Sequence, residues 1–599
     1  MAVITGLNLY PIKSTAGLAV QDAWVSREGL RGDRRYMLAR PDGTFVTART
    51  HPRLQGIKVT PVAGGLELHH GDQRLSVRHQ QFLLQPVATG VWGDSFTAWS
   101  THADYDAWFS QILDEPVQLL WLGQHSNRYR EKLGTGVSFA DGYPLLLISE
   151  ASLADLNLRA DARMDMSQFR TNLVVRGGRP FEEDGWRRIR IGEVEFLVAK
   201  PCSRCIMTTI EPGSERFNAM KEPLATLTRY RRGDDGEVYF GQNLVPLNEG
   251  EIRLGDEVEV LEYASAPIYP DAAPKRRQLV CVEREPLARD MDTYWLEAMD
   301  RKPLADYQPG QHLPVALDID GRRHLRHYTL SSSPTRPGRY GISVKRQPDG
   351  VVSNWLAEAL QPGHALLAHA PAGDFHLRPA GSYLLLSAGS GVTPMLSMVR
   401  AMADLERLED VYFLHLCRAE ADLPAAAELK ALARRHPGLR LDFVLTRPER
   451  GQGERLELAR LAAVSALQQR DIYLCGPAGF MQQARAWLLA LGVPAGRIYQ
   501  ESFGGPVPAD VSRETRAVRV RIGDHEFTGN NQQDLLTQAE GQGLQLPWSC
   551  RAGICGSCKQ SLRSGEVAQP DAPALSAAER EAGVILACCC VPLSDVELE

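Results

Sequence analysis

The chain contains no stretch of about 18 apolar residues, so no membrane-spanning helix is expected. Its longest apolar runs, "YPLLLIS" and "YLLLSAG", are the length of strands. The N-terminal "MAVITGLNLYPIKS" has no basic segment followed by an apolar one, so no secretory leader and a cytoplasmic location are expected. Neither sign of charge runs in long blocks and the net charge is −6, which argues against a nucleic-acid partner. No repeat recurs at 20–50 residues. Cys202 and Cys205, in "VAKPCSRCIMTT", have the two-residue spacing of a zinc or redox pair. No second Cys or His pair stands near them to complete a zinc site, and a chain without a leader is a poor setting for a static disulfide.

What is present is size and a strong division. At roughly 100–200 residues per domain, 599 residues predict three to five domains. The Ala- and Pro-rich "EYASAPIYPDAAPKRRQL" (262–279) reads as a connector between two large halves, with 266–278 as its linker proper. A second break falls at "GGPVPADVSRET" (504–515). Residues 1–265 mix short strands with one clear helix, "EASLADLNLRAD", and read as β-rich α+β. Residues 279–380 are β-rich. Residues 381–507 alternate strand and helix, which indicates a parallel sheet wrapped by helices. Residues 515–599 hold a hairpin, a helix and a cysteine loop. The expectation is a multidomain chain: a β-rich α+β half, a β-barrel domain, an α/β nucleotide domain and a small α+β (β-grasp) domain.

Six of the eleven cysteines lie in the last 50 residues. "SCRAGICGSCKQ" gives C-x4-C-x2-C through Cys550, Cys555 and Cys558, and Cys588 follows after 29 intervening residues. This is the plant-type [2Fe–2S] spacing, in which four thiolates hold two irons. "ILACCCVP" offers three adjacent candidates for the fourth ligand. In an extended strand their side chains alternate and cannot all reach one cluster. Cys588 is preferred because the segment resembles the ending of plant-type ferredoxins, which leaves Cys589 and Cys590 spare.

"RHYTLSSS" resembles the flavin motif of the ferredoxin-reductase family. In that resemblance Arg326 meets a flavin phosphate, Tyr328 lies against the isoalloxazine and Thr329 bonds near its reacting nitrogen. "DGVVSNWL" is expected to open a helix at Ser353 whose free amides face the pyrophosphate. "AGSGVTPM" places Gly389, Gly391, Thr393 and Pro394 in a turn between a strand and a helix, similar to the family's dinucleotide loop. "YLCGPAGFM" resembles its Cys-Gly-Pro motif, with Cys475, Gly476 and Pro477 near the nicotinamide. "QESF" puts Glu501 and Phe503 near the flavin. Four motifs in family order imply reductases that run flavin, nicotinamide and C-terminal ferredoxin. FAD is expected over FMN. NADH or NADPH is the donor, and Arg418 stands where a 2′-phosphate could be met.

Residues 1–265 resemble MOSC-domain proteins, specifically the amidoxime-reducing components: a β-barrel-like N-terminal domain over 1–120 and a MOSC domain over 121–265. The matching runs include "YPIKS", "GLRGDRRYML", "TARTHPRL", "SEASLADLN", "FRTNLVV", "CSRCIMTTIEP" and "EPLATLTRYRR". The resemblance implies a molybdenum cofactor, a phosphate-bearing pterin, held by Lys13, Ser14, Arg34, Arg170, Asn172 and Ser203, with Cys205 as the metal's thiolate. Cys202 is then a neighbour outside the metal's coordination. Gly142 and Tyr143 depart from the animal proteins, which have hydroxyl residues there.

The expectation is a self-contained reductase. Electrons run from NAD(P)H to FAD to [2Fe–2S] to molybdenum, and the substrate is a small N-hydroxylated compound. One alternative is electron delivery to an external acceptor such as an oxygenase, with the MOSC half as a docking module. Another is sulfur transfer through a persulfide on Cys202 or Cys205.

Overall fold

The structure is a computed structural model. It describes residues 2–599 except 219, 349, 502, 504–514, 543, 545, 548–552, 554, 555, 557 and 570–573, with backbone alone at 322, 478 and 577. The chain divides into two compact units, Met1–Lys275 and Arg276–Glu599. Among the described residues no helix is long and apolar enough to cross a membrane.

The first unit is built on a closed sheet. Strand pairs run in order Leu173–Arg176, Leu145–Ser149, Tyr239–Pro246, Val194–Ser203, Trp186–Ile191, Glu257–Tyr263 and Ala2–Leu9. The last strand pairs back to the first through Val3↔Arg176 and Leu7↔Leu173, so seven strands form a ring. Closure removes exposed sheet edges and gives each strand an interior face. Leu7, Leu147, Val175, Ile189, Phe196 and Leu244 fill that interior at 0–1 % exposure. A four-stranded sheet (Tyr36–Ala39, Gln118–Trp121, Asp94–Ser100, Pro86–Val91) and the helix Ala103–Leu113 share a second core around Phe109 and Leu119.

The helix Glu150–Arg159 starts where the Ser149 side chain accepts the Ser152 N–H at 3.0 Å. The connector is tied to this unit: Arg159 reaches the Asp271 carboxylate at 2.7 and 3.0 Å, and the Ala272 N–H donates to Arg229 at 2.8 Å.

The second unit begins with a six-stranded sheet whose outer members, Arg322–Thr329 and Tyr340–Lys345, are joined by the bridge Leu330↔Ile342 into a barrel. An all-parallel sheet follows, ordered Leu439–Leu445, Val411–Cys417, Tyr383–Ala388, Asp471–Cys475, Ile498–Glu501. The chain reverses its direction of winding at Tyr383–Ala388. Ligands in such sheets bind in the crevice beyond the carboxyl ends at that point. The C-terminal sheet joins His525–Asn530, Ala517–Ile522, Val596–Leu598, Lys559–Ser564 and Val584–Leu586. The Asp534 side chain caps the helix Leu535–Gly541 beside it by accepting the Thr537 N–H.

Candidate functional sites

In the first unit, turns far apart in sequence bring four cations together. Lys13 Nζ donates to the Phe139 carbonyl at 2.7 Å and to Asp141, and burial pulls its pKa down to about 8 against the opposing pull of Asp141. Arg34 bonds Asp33 and the Asn172 side chain, the latter at 3.0 Å. Arg170 donates Nη1 to the Thr15 carbonyl, while its buried Nη2 has no partner. Burial and the nearby Arg34 bring Arg170 down to about 10. Both guanidiniums lie over the Tyr10 ring, at 4.6 and 4.3 Å. Arg49 donates to Asp141 at 3.0 Å, stacks on Trp92 at 4.4 Å, and lies near enough to Cys205 to feel its charge.

Ser14, Arg34 and Arg170 hold φ of 72°, 47° and 53°, a left-handed backbone that ordinary side chains rarely adopt. Such conformations persist where the surroundings over-determine them, and they cluster at functional sites.

The two cysteines of C-S-R-C are unequal. Cys205 is half-buried and begins the turn Ile206–Thr209, fixed by Thr208 Oγ1 donating to its carbonyl at 2.9 Å. Cys202 packs against the apolar cluster of Phe169 and Phe240. Between them Arg204 clamps the Phe240 carbonyl with two bonds, 2.8 and 2.6 Å. Ser203 is exposed, whereas Asn172 is buried and donates to the Asn8 carbonyl at 3.1 Å. Reading the sequence missed Asp141, Arg49 and Trp92. Arg49 sat inside a quoted motif, and Asp141 directly precedes the Gly142–Tyr143 departure. An orphaned guanidinium nitrogen, and four cations against the two carboxylates Asp33 and Asp141, suit an anionic phosphate-bearing group beside a single thiolate.

In the second unit the motifs meet at the winding reversal. Parallel register sets Cys475 beside both Ser387 and Glu501. The turn of Gly389 and Gly391 leaves the end of Tyr383–Ala388, and a Cβ on Gly391 would lie 2.3 Å from the Cys475 carbonyl. Thr393 is buried, with its hydroxyl on the Ser390 carbonyl at 3.1 Å, and Pro394 is buried in the first turn of Val392–Asp404. Gly476 and the exposed Pro477 lead into the helix Ala478–Ala490. Burial pushes the Cys475 thiol and the Glu501 carboxyl up, and His312 partly offsets the latter. Phe503 is 42 % exposed.

On the barrel, Leu313↔Tyr328 and His312↔Thr329 pair. Tyr328 packs against the barrel core, and Arg326 sits 3.9 Å from Glu540. Two buried oxygens, Thr329 Oγ1 and Glu501 Oε2, have no partner among the described residues. Unsatisfied buried groups of this kind suit a polar ligand edge. The helix expected to open at Ser353 instead begins at Val351, after Gly350. Ser353 bonds back to the Gly350 carbonyl at 3.2 Å and accepts the Gln347 N–H, so its hydroxyl is committed to the turn.

Of the expected cluster thiols, Cys550 and Cys555 lie outside the described residues. Cys558 and Cys588 are within hydrogen-bond reach of each other, because the Ala587 N–H donates to the Cys558 carbonyl at 3.0 Å. The cysteine triplet is a turn rather than an extended strand: the Cys589 N–H donates to Leu586 at 3.0 Å. All three are buried, and the Cys590 carbonyl accepts the Leu535 N–H at 2.9 Å.

Family models match in series. They are the MOSC N-terminal beta barrel domain (1–116), the MOSC domain (134–259), an oxidoreductase FAD-binding domain (278–377), an oxidoreductase NAD-binding domain (385–486) and a 2Fe-2S iron-sulfur cluster binding domain (519–593). The glycine betaine monooxygenase reductase subunit of Chromohalobacter salexigens is 34 % identical over 353 residues, 54 % of this chain and 95 % of that protein. The chain belongs to the MOSC proteins fused to a flavin and iron–sulfur reductase.

The MOSC half is also similar to human mitochondrial amidoxime-reducing component 1, at 32 % identity over 291 residues, 44 % of this chain and 83 % of that protein. The structure of phthalate dioxygenase reductase matches at 26 % identity and a TM-score of 0.43, covering 54 % of this chain and 98 % of that one. The reductase half is thus an NAD(P)H-dependent oxidoreductase that uses FAD and a [2Fe–2S] cluster. Arg418 is exposed after the second nucleotide strand.

Proposed function

We propose that electrons taken from NAD(P)H leave the reductase half, through FAD and the [2Fe–2S] cluster, to a separate acceptor protein. The observation that carries this reading is the convergence of Cys475, Glu501 and the unpartnered Thr329 hydroxyl at one crevice. FAD, when bound, supplies the conversion of a two-electron hydride into single electrons. The chain's own residues do the rest. The Gly389–Gly391 turn admits a phosphate close to backbone. Buried Cys475 walls the crevice against water. Thr329 and Glu501 offer hydrogen bonds to whatever ring edge enters. A relative named as an oxygenase reductase subunit, matched over nearly all its length, supports a separate acceptor protein more than the self-contained reductase expected above.

A second reading, in which the MOSC half is itself the acceptor, is favoured by the unpartnered Arg170 nitrogen among four cations beside Cys205. Lys13, Ser14, Arg34, Arg170, Asn172 and Ser203 would hold a molybdenum pterin there, with Cys205 on the metal. That group supplies two-electron oxygen-atom chemistry suited to N-hydroxylated compounds, the substrate class suggested by the amidoxime-reducing relative.

One experiment separates the readings. The molybdenum-loaded chain is given NADH anaerobically, with a hydroxylaminopurine and no other protein, alongside Cys205→Ser. Separate delivery predicts cytochrome c reduction by both proteins and no loss of the hydroxylaminopurine. Consumption of the purine by the wild type but not by C205S would replace the first reading with the second.

A further inference from the structure

The connector after the MOSC domain turns two residues inward, and neither the family motifs nor the readings above use them. The matched MOSC domain ends at 259 and the matched FAD-binding domain begins at 278, so the connector belongs to neither. From Glu262 to Lys275 every residue is exposed except Tyr269 and Ala273. A flexible linker stays solvated along its length and has no reason to bury a ring at one fixed position.

Three ties hold the stretch down. The Asp271 carboxylate meets Arg159 at 2.7 and 3.0 Å, and the Ala273 carbonyl accepts from the same guanidinium. Ala272 exchanges two bonds with Arg229: its N–H donates to the Arg229 carbonyl at 2.8 Å, and Arg229 Nη2 donates to its carbonyl at 3.3 Å. Lys275 pairs with Asp155, a carboxylate 2 % exposed that Arg159 Nε also reaches, at 2.8 Å. An exposed ion pair adds little by itself, but a buried carboxylate shared by two cations is costly to uncover. Ala273 meanwhile sits in the apolar cluster of Phe169, Tyr230 and Phe240. These ties deliver Tyr269. Its ring lies 4.4 Å from the Arg231 guanidinium and 6.0 Å from the Tyr239 ring, with planes 34° apart. Arg231 holds both backbone groups of Tyr239. Its carbonyl accepts the Tyr239 N–H at 2.9 Å, and its Nε donates to the Tyr239 carbonyl at 3.1 Å. Tyr239 pairs with Ser203, and the Arg204 N–H donates to the Val238 carbonyl at 2.7 Å. Cys205 follows directly.

We propose that the connector is a strap that positions the Cys205 hairpin: Tyr269 holds the Arg231 guanidinium in place, and Arg231 sets the register of Tyr239 against Ser203. Tyr269 is a positioning residue, since it acts through Arg231. A cation over an aromatic ring is held in direction as well as in distance, which is what a register-setting arginine needs. The proposal goes beyond both electron routes above and depends on neither. The segment that follows the MOSC domain is thereby part of the framework that carries its thiol.

The test uses the full chain and hydrogen–deuterium exchange, read at the peptides that carry the Arg204 and Tyr239 amides. Mass mapping of iodoacetamide labelling at Cys205 runs beside it. In Y269A both amides should exchange faster by about fivefold or more, and the rate of Cys205 labelling should change by about threefold or more. Y269F keeps the ring and should stay within about twofold of wild type in both readouts. D271N with K275M loosens the strap while Asp155 still neutralises Arg159, and should move the hairpin as Y269A does. The strand Gln118–Trp121, which belongs to the unit's other core, should exchange as in the wild type in every variant. Hairpin exchange or Cys205 labelling within about twofold of wild type in Y269A would overturn the proposal. So would an equal rise at Gln118–Trp121, which marks a general loss of stability, or an equal effect of Y269F. Should Y269A not fold, D271N with K275M decides alone by the same readouts.

Discussion

Asp184→Asn should weaken the first unit by an amount the structure allows to be worked out. The Asp184 and Arg231 side chains are 3 % and 5 % exposed and meet at 2.7 Å. Gln242 donates to the other carboxylate oxygen at 2.6 Å, and the Phe181 and Tyr269 rings flank the guanidinium at 4.2 and 4.4 Å. An asparagine has the same outline but one donor group. Whichever way it turns, an N–H faces either Arg231 or Gln242, and the guanidinium is left buried without its counter-charge. Breaking a buried pair from one side costs about 3–5 kcal/mol.

The damage reaches the site. Arg231 Nε also donates to the Tyr239 carbonyl at 3.1 Å, and Tyr239 pairs with Ser203 in the hairpin that carries Cys205. At about 2–4 °C per kcal/mol for a domain of this size, calorimetry should show the first unit's transition falling by about 6–20 °C. Replacing both partners by apolar residues, D184L with R231M, should recover most of the loss. A fall of less than about 2 °C in D184N would refute the argument that this pair supports the hairpin.

Three further outcomes are expected. C588S should lose the visible absorption and electron paramagnetic resonance of the [2Fe–2S] cluster, whereas C589A and C590A keep them, since Cys588 lies within hydrogen-bond reach of Cys558. G391A should slow NAD(P)H-driven flavin bleaching by about tenfold or more, because a methyl 2.3 Å from the Cys475 carbonyl forces the turn away at a cost of about 1–3 kcal/mol. His415, buried with Nδ1 2.9 Å from the Ser387 hydroxyl, is held down to about 3 by burial. Between about pH 3 and 6.5 the unfolded chain therefore binds more protons, and stability falls as pH falls, by up to about 1.4 kcal/mol per pH unit. Urea midpoints at pH 6.5 and 5 should differ less in H415N than in the wild type, and an unchanged difference would count against this.

Local chemistry was legible in the sequence, and assembly across distance was not. The cysteine spacing, the glycine turn and the Cys-Gly-Pro run each lie within one short window. The helix at Glu150 announced itself by its apolar spacing. By contrast, Arg49, Trp92 and Asp141 become neighbours only when the first unit closes, so no window contains their contact. The cysteine triplet looked extended because its flanks are strand-like, yet hydrogen bonds from Cys589 to Leu586 and from Leu535 to Cys590 fold it into a turn. Ser353 was displaced from its expected helix start because Gly350 supplies the break three residues earlier. His312 went unnoticed because its partner Glu501 lies nearly two hundred positions away.

Three of the six residues expected around the pterin, Ser14, Arg34 and Arg170, sit in left-handed backbone. Glycine or asparagine would occupy those positions with less strain. Arg34 is held in place by its pair with the buried Asp33, but at Ser14 and Arg170 a laboratory selection for thermal robustness alone would drift toward those replacements, and would strip out a hydroxyl and a guanidinium. Any campaign to harden this protein needs a cofactor-retention screen running beside the heat challenge.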